Sequence, residues 1–285
     1  MNAVPEVVAV IGGGRMGAGI AQVFATAGAS VTIAEASDDA AHAARGRVAQ
    51  GLQRATEKRS LPCQPDTVLA RVHAVGALTG LPPDAALVVE AVPERVSDKI
   101  TVLTAAEQIV GPAAILASNT SSLSITELAA PLAHPRRFLG MHFFNPVPAS
   151  QLVEVVCGPE TDPSTVRTAR NWVHALGKSD VVVRDSPGFA TSRLGVALGL
   201  EAIRMLEEGV ADAESIDRAM ELGYRHPMGP LRSTDLVGLD VRLAIAEHLH
   251  TTLGDRFRPP QLLRDKVTRG ELGRKTGQGF YRWPT

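Results

Sequence analysis

Cysteine is scarce in this sequence, and long apolar runs are missing. The two cysteines among 285 residues, Cys63 and Cys157, provide neither a disulfide framework nor the spacing of metal ligands. No apolar run approaches the roughly 18 residues that are needed to span a bilayer. The first residues, MNAVPEVVAVIGGG, contain no basic stretch ahead of their apolar run, so we expect no signal peptide. These absences predict a cytoplasmic protein without a membrane anchor or a metal ion.

An excess of charge is also missing. The formal net charge is -1 at pH 7, which gives no general electrostatic basis for binding nucleic acid or an anionic membrane. Apolar residues are plentiful, at 45% of the sequence, and the length suits two domains with cores of their own. These bounds favour a globular protein of two domains.

Strand and helix patterns alternate through the first half of the chain. The β-branched run VVAVI at 7–11 predicts a buried parallel strand, and GGGRMGAGIAQVFATAG after it has helical spacing that ends near Gly28. The same patterns predict strands at 31–34, 87–92, 113–118 and 137–143, and helices at 38–55, 94–110 and 124–130. This alternation predicts a parallel sheet with helices on both faces.

The pattern changes after residue 150. Strands are predicted at 152–157 and 181–183 around a helix at 163–176, and helices alone follow at 189–209, 212–222, 231–253 and 259–270. The turn residues Asp-Ser-Pro-Gly at 185–188 separate the two patterns. We therefore predict domains at 1–186 and 187–285. The helix at 189–209 is apolar on more than one side early on, which leaves open a core helix or a subunit interface.

A glycine motif stands between the first strand and the first helix. Gly12, Gly14 and Gly17 form G-x-G-x-x-G, in which the glycines allow a tight turn, approach of a pyrophosphate, and close packing of helix on strand. Met16, inside the motif, is counted among the cofactor-binding candidates. Glu35 ends the second strand, where an acid accepts ribose hydroxyls and repels a 2′-phosphate, so NAD is favoured over NADP. The predicted fold is an α/β Rossmann-type NAD-binding domain followed by an all-α domain.

Five unusual polar residues follow the predicted strands. They are Glu35, Glu94, Asn119, Ser121 and His142. Ligands of open α/β sheets bind beyond the carboxyl ends of the strands, so we expect these side chains at one edge of the sheet.

His142 is the candidate for proton transfer. Pro146 and Pro148 turn the chain after it, so the next strand is expected to bring Glu154 alongside, and a glutamate that orients a histidine is a common support for general acid–base chemistry. The histidine would meet a hydroxyl group of the substrate, and Ser121 supplies a hydroxyl that can hydrogen-bond the oxygen of that group. An alternative role for the segment around Ser121 is to cap the start of a helix. Ser124 and Glu127 form a plausible capping box for that helix, so Ser121 is not needed as the cap.

A family resemblance rests on motifs spread over residues 7–283. They are GGGRMGAGIAQVFA, VVEAVPERVSDK, SNTSSLSITELA, MHFFNPVPASQLVEVV, DSPGF and GRKTGQGFYRW. Together they resemble the 3-hydroxyacyl-CoA dehydrogenase family, and in particular its short bacterial 3-hydroxybutyryl-CoA dehydrogenases. The resemblance implies an NAD-binding domain, a helical domain that forms a homodimer, and a place in fatty acid metabolism. The implied reaction is the reversible oxidation of an (S)-3-hydroxyacyl-CoA to the 3-oxoacyl-CoA.

The resemblance also implies residue roles. His142 resembles the catalytic base, Glu154 its partner, and Ser121 the serine that holds the substrate oxygen. Glu94, Lys99 and Asn119 resemble the residues that surround the nicotinamide and its ribose in this family. The thioester is carried by coenzyme A or by the pantetheine arm of an acyl-carrier protein. A basic cluster would bind the phosphates of this carrier group. That cluster comprises Arg45, Arg47, Arg54, Lys58 and Arg59, and a solvated helix face is the alternative interpretation.

One position departs from the family pattern. After Pro-Gly-Phe the family has an asparagine that contacts the substrate, whereas this chain has Ser192 followed by Arg193. Serine offers one hydroxyl close to the backbone, and asparagine offers two amide donors on a longer side chain. A bridging water, a substrate with a branch or an added polar group, and loss of catalysis each explain the difference. The alternatives to a CoA-thioester dehydrogenase are therefore an enzyme for carrier-bound or unusual hydroxyacyl groups and a non-catalytic NAD-binding relative.

Overall fold

The computed structural model describes residues 3–284, which form two units. The first unit extends to Asp185 and the second begins at Ser186. Each unit has an apolar core of its own. None of the helices within the described residues combines the length and the apolar character that a membrane-spanning helix needs.

The first unit is built on a mixed β-sheet that has eight strands within the described residues. The strands are β1 (Val7–Ile11), β2 (Ser30–Ala34), β3 (Val72–Val75), β4 (Leu87–Glu90), β5 (Ile115–Ser118), β6 (Phe138–Phe143), β7 (Leu152–Cys157) and β8 (Ser179–Arg184). Their spatial order is β3-β2-β1-β4-β5-β6-β7-β8. All neighbouring pairs are parallel except β6 and β7, which are antiparallel.

The sheet is covered by helices, as its apolar strands require. The helices of this unit are α1 (Arg15–Thr26), α2 (Asp38–Glu57), α3 (Pro65–Leu69), α4 (Val96–Ile109), α5 (Ile125–Ala129) and α6 (Pro163–Ala175). In β1, Val8 and Val10 pack in a core with Phe24 of α1, and Ala9 between them is also fully buried. A strand that is buried on both faces reads as a continuous apolar run. The predicted α/β class is confirmed.

Two elements of the first unit escaped the sequence analysis. β3 has only four residues, VHAV, and forms an edge of the sheet with the exposed His73 in its middle. α3 has five residues and begins at Pro65. Both are shorter than the window over which hydrophobic periodicity becomes informative.

The second unit is helical. Its helices are α7 (Thr191–Glu207), α8 (Ala213–Gly223), α9 (Pro230–Val237), α10 (Leu239–Leu253) and α11 (Gln261–Thr268). The prediction of one helix over 231–253 is wrong, because Gly238 adopts φ +107° and separates α9 from α10. That backbone conformation is accessible to glycine and interrupts the helical hydrogen-bond ladder.

The segment after α11 is attached to the second unit through Asp235 of α9, which is 1% exposed. Its Oδ1 accepts a hydrogen bond from the Phe280 amide at 2.9 Å. Its Oδ2 accepts from the Tyr281 amide at 2.9 Å and from the indole Nε1 of Trp283 at 2.8 Å. A Cβ added at Gly279 would lie 2.2 Å from Oδ1. The motif GRKTGQGFYRW therefore has a structural role, because its glycine and its amide donors enclose a buried carboxylate.

We expect Asp235→Ala to lower the free energy of unfolding by about 3–5 kcal/mol, because three part-buried donors lose their acceptor. Urea titration followed by Trp283 fluorescence in a Trp172→Phe background measures this change. Asp265→Ala is the matched control, since Asp265 is exposed on α11, and it should stay within about 0.5 kcal/mol. Equal losses in the two variants would contradict the anchoring role.

Candidate active site

The three glycines of the β1–α1 turn meet different surroundings. A Cβ added at Gly12, whose φ is +90°, would lie 2.9 Å from the carbonyl oxygen of Ala91. A Cβ at Gly17 would lie 1.8 Å from the carbonyl oxygen of Gly12, so no side chain fits there. At Gly14 a Cβ would meet none of the described atoms within 4 Å. The fold thus explains the first and third glycines, whereas the second leaves room above the loop for a ligand.

The start of α1 suits an anion. Gly14 is the N-cap residue, and glycine has no side chain to occupy the first-turn amide groups. These amides and the helix dipole favour a phosphate. Glu35 lies beside the same turn, where its Oε1 accepts a hydrogen bond from the Gly13 amide at 2.6 Å. Met16 is half-buried and packs against the core of the first unit. The residues present therefore fit a dinucleotide, with the pyrophosphate at the helix start and a carboxylate near the end of β2.

A charge network, buried at Glu90 and Lys99 and exposed at Glu94, lies at the carboxyl ends of β4 and β5. Lys99 of α4, which is 1% exposed, places its Nζ 2.7 Å from Glu90 Oε1 and 3.2 Å from Glu94 Oε2. Glu90 also accepts hydrogen bonds from the Val92 amide at 2.6 Å and, through Oε2, from the Ser118 hydroxyl at 2.6 Å. The ammonium of Lys99 therefore lies between two carboxylates, and every donor in the network has an acceptor.

The two glutamates of this network are shifted in opposite directions. Burial raises the pKa of Glu90, and Lys99 and the hydrogen bonds offset that effect only in part. Burial also acts to raise the pKa of Glu94, but Lys99, Thr120 and the Ser121 amide outweigh it and the pKa is lowered. Glu94 is therefore firmly ionised near neutral pH, with its charge next to a cation.

The loop after β5 wraps around Glu94. Its Oε1 accepts hydrogen bonds from the Thr120 hydroxyl at 2.5 Å, the Ser121 amide at 2.9 Å and the Ser122 amide at 3.2 Å. Asn119 uses its Oδ1 to accept a hydrogen bond from the Phe143 amide at 2.9 Å, which ties the end of β5 to the end of β6. The structure thus brings Glu94, Lys99, Asn119 and Ser121 together.

His142 and Glu154 face each other across β6 and β7. They are register partners in the antiparallel pair, and His142 Nδ1 lies 2.8 Å from Glu154 Oε2. Glu154 is completely buried and His142 is 5% exposed. An ionised Glu154 would only accept hydrogen bonds, which would assign the ring proton to Nδ1 and leave Nε2 as the nitrogen that can accept a proton. The ring of Phe144 lies 4.4 Å from the imidazole, centroid to centroid.

Four residues of this region were missed by the sequence analysis. Glu90 lies inside the apolar run LVVE, just as Glu154 lies inside LVEVV, and a carboxylate in a buried strand was the available signal. Ser118 and Thr120 carried no such signal. Asp185, from the DSPGF motif, accepts hydrogen bonds through Oδ2 from the Ser124 hydroxyl at 2.7 Å and the Thr126 amide at 2.8 Å. It therefore secures the start of α5.

The predicted basic cluster divides into two groups. Arg45 donates from Nε to the carbonyl of Val72 at 3.1 Å, and Arg47 donates from Nη1 to the carbonyl of Gly13 at 3.0 Å, so these two side chains support the backbone. The other three, Arg54, Lys58 and Arg59, are exposed near the end of α2. Ser192 lies in the second unit, half-buried in the first turn of α7.

Both units match one protein family. The family described as "3-hydroxyacyl-CoA dehydrogenase, NAD binding domain" matches residues 7–186, and "3-hydroxyacyl-CoA dehydrogenase, C-terminal domain" matches residues 188–283. The chain belongs to the 3-hydroxyacyl-CoA dehydrogenase family. It is therefore an oxidoreductase, and its cofactor is NAD.

Individual members of the 3-hydroxyacyl-CoA dehydrogenase family are similar along the whole chain. A probable 3-hydroxybutyryl-CoA dehydrogenase of Deinococcus radiodurans is 45% identical over 275 residues, which cover 96% of this chain and 99% of that protein. A 3-hydroxybutyryl-CoA dehydrogenase of Bradyrhizobium diazoefficiens is 42% identical over 283 residues, or 99% and 96% of the two chains. The crystal structure of (S)-3-hydroxybutyryl-CoA dehydrogenase from Ralstonia eutropha matches with a TM-score of 0.92 at 40% identity, and the match covers 99% of this chain and 100% of that one.

We expect Gly14→Ala to weaken NADH binding about 10- to 100-fold without disturbing the fold, because the added methyl group meets only the ligand. NADH fluorescence titration and thermal unfolding measure the two effects. Gly17→Ala is the contrasting variant, since its Cβ would overlap the Gly12 carbonyl and should lower the melting temperature. NADH binding by Gly14→Ala at wild-type strength would contradict the assignment.

We also expect Lys99→Met to lower the free energy of unfolding by about 3–5 kcal/mol, because it leaves Glu90 buried without a cation. Adding Glu90→Gln should recover part of that loss. Chemical denaturation measures both variants, and Arg95→Met, which breaks the exposed pair with Asp98, should cost at most about 1 kcal/mol. A double variant as unstable as Lys99→Met, or less stable, would show that the two charges are not coupled.

Proposed function

We propose that this enzyme catalyses the reversible, NAD-dependent oxidation of (S)-3-hydroxybutyryl-CoA and similar short 3-hydroxyacyl-CoA esters to the 3-oxoacyl-CoA. The similar proteins of Deinococcus radiodurans, Bradyrhizobium diazoefficiens and Ralstonia eutropha bear 3-hydroxybutyryl-CoA dehydrogenase names. The observation that carries the proposal is the buried His142–Glu154 pair at 2.8 Å.

His142 acts as the general base in the oxidation. With the Nδ1 proton held by Glu154, the Nε2 lone pair takes the proton of the substrate hydroxyl. The carboxylate then stabilises the imidazolium, which returns its proton to the developing alkoxide in the reverse direction. The low exposure of both side chains limits access of water and strengthens their interaction. The cofactor, when bound, supplies the hydride acceptor for C3 of the substrate.

The other residues position the reacting groups. The Ser121 hydroxyl donates a hydrogen bond to the substrate oxygen, which lowers the energy of the charge that develops there. Glu94, Lys99 and Asn119 hold the nicotinamide and its ribose, and Glu35 accepts hydrogen bonds from the adenine ribose. Gly12, Gly14 and Gly17, with Met16 beside them, form the turn that receives the pyrophosphate.

The two predicted domains, 1–186 and 187–285, have different tasks in this proposal. The first holds the cofactor, and its exposed Arg54, Lys58 and Arg59 meet the phosphates of the coenzyme A handle. The second contributes Ser192 to the substrate and forms a homodimer. Exposed apolar side chains on α7, α9 and α10 support an interface there, namely Leu194, Leu198, Val237 and Val241.

Ser192 favours a second candidate, in which the hydroxyacyl group is unusual or is carried by an acyl-carrier protein. Its short hydroxyl leaves more space than the amide of the family pattern. Turnover of acetoacetyl-CoA, compared with turnover of the same group on a carrier protein, separates the two candidates. Negligible turnover of the CoA ester at high enzyme concentration would favour the second.

We expect His142→Ala to reduce kcat about 100- to 10,000-fold while NADH binding persists, because general base catalysis contributes that much. Glu154→Gln keeps the shape of the pair but removes its charge, and should reduce kcat less. NADH oxidation with acetoacetyl-CoA measures the rates, and NADH fluorescence measures binding. The matched control is His73→Ala, which removes an exposed strand histidine from β3. Wild-type activity in His142→Ala would overturn the mechanism, and an inactive wild type that binds NADH would indicate a non-catalytic relative.

A further inference from the structure

The side chain of Arg242, on α10, has one buried donor atom that no described residue accepts from. Its Nε is buried and has no hydrogen-bond partner within residues 3–284. Burial lowers the pKa of Arg242 to about 10, so the guanidinium is still a cation at neutral pH. A buried donor without an acceptor is unfavourable, which makes this Nε exceptional among the buried polar side-chain atoms of the described residues.

The acidic side chains of α10 are already paired with other cations. Asp240 accepts from Lys275 Nζ at 2.6 Å, and Glu247 Oε1 lies 2.6 Å from Arg264 Nη1. Both carboxylates of α10 thus form ion pairs with other residues, and neither is paired with Arg242.

Space for the guanidinium is made by a glycine in α7. A Cβ added at Gly195 would lie 3.0 Å from Arg242 Nη1, which is closer than ordinary contact, and 3.5 Å from Nη2. Glycine is unfavourable in a helix interior relative to alanine. Here it allows the guanidinium to lie directly against the backbone of α7.

Ser192 is on the same side of α7, one turn before Gly195. Side chains at positions i and i+3 of a helix have Cβ atoms about 5–6 Å apart, so Ser192 is a neighbour of the position against which the Arg242 guanidinium lies. Both groups are half-exposed, and both donate hydrogen bonds. A carboxylate is the group that best accepts from the fork of an arginine and from a hydroxyl together.

We propose that Arg242, together with Ser192, binds a carboxylate on the acyl chain, so that the preferred substrates are 3-hydroxyacyl thioesters that end in a carboxylate. This inference rests on the proposed function, since it requires that the acyl group reach Ser192. The serine then provides the short side chain that leaves room for the carboxylate beside the guanidinium.

The test compares two ligands that cannot react, because they lack the 3-hydroxyl group. Glutaryl-CoA and valeryl-CoA have five-carbon acyl chains that end in a carboxylate and a methyl group, and they share the same CoA. We expect the wild-type full chain to bind glutaryl-CoA about 10- to 100-fold more tightly by isothermal titration calorimetry. Arg242→Met should bring the ratio of the two dissociation constants close to one. Arg218→Met, which removes an exposed arginine from α8, is the matched control and should keep the wild-type ratio.

A second variant covers the case in which Arg242→Met does not fold. Gly195→Ala keeps the arginine but adds a methyl group 3.0 Å from Nη1, and it should also reduce the ratio. Thermal unfolding and NADH binding report whether each variant is folded.

Two outcomes would overturn the inference. The first is a ratio near one in the wild type, and the second is a wild-type ratio in Arg242→Met or in a folded Gly195→Ala. If Arg242 binds a phosphate of CoA, Arg242→Met weakens the binding of both ligands equally. The ratio of the two dissociation constants then keeps its wild-type value, which is the second outcome. If Arg242→Met keeps the wild-type ratio and its oligomer also dissociates in sedimentation, the second outcome assigns the arginine to contact with a second copy. Failure of the proposed function is separate, because it appears as lack of turnover with 3-hydroxybutyryl-CoA.

Discussion

The cost of burying a carboxylate determines the arrangement at the carboxyl edge of the sheet. Glu90 and Glu154 have no exposed surface, and an ionised carboxylate without partners is unstable in such a place. Each must therefore have a donor from a neighbouring element. Lys99 reaches Glu90 from α4, and His142 reaches Glu154 from β6. The positions of the polar groups follow from these two requirements, because the strands and the start of α4 cannot shift without breaking them.

Much of the site was predictable because parallel strands end at the same edge of a sheet. The glycine motif, the residues after β2, β4 and β5, and the opposition of His142 and Glu154 all follow from strand ends and one reversal at Pro146. Glu90 was missed, since its position inside a strand hides it among apolar neighbours. The role of Ser192 stays a prediction, because a single departure from a motif does not reveal what its side chain meets.

The fold was predictable wherever a pattern extended over two or more helical turns or a whole strand. The prediction failed for β3, which is short and lies at an edge of the sheet. It also failed for residues 231–253, which form two helices separated at Gly238. A glycine with positive φ cannot be distinguished in a sequence from a glycine inside a helix, because the difference depends on tertiary packing. Asp235 shows the same limit, since its partners follow 45 or more residues later.

The hydrogen bonds of Asp235 affect the order in which the two units are completed during synthesis. The strand β8 ends at Arg184, so all eight described strands of the sheet have been synthesised before the second unit begins. The carboxylate of Asp235 obtains its donors only when residues 280–283 arrive, at about 5–20 residues per second several seconds after α9. During that interval the second unit holds a solvated carboxylate where its interior will be. The interior of the helical unit is thus completed only when residues 280–283 have been synthesised, after all the described strands of the sheet.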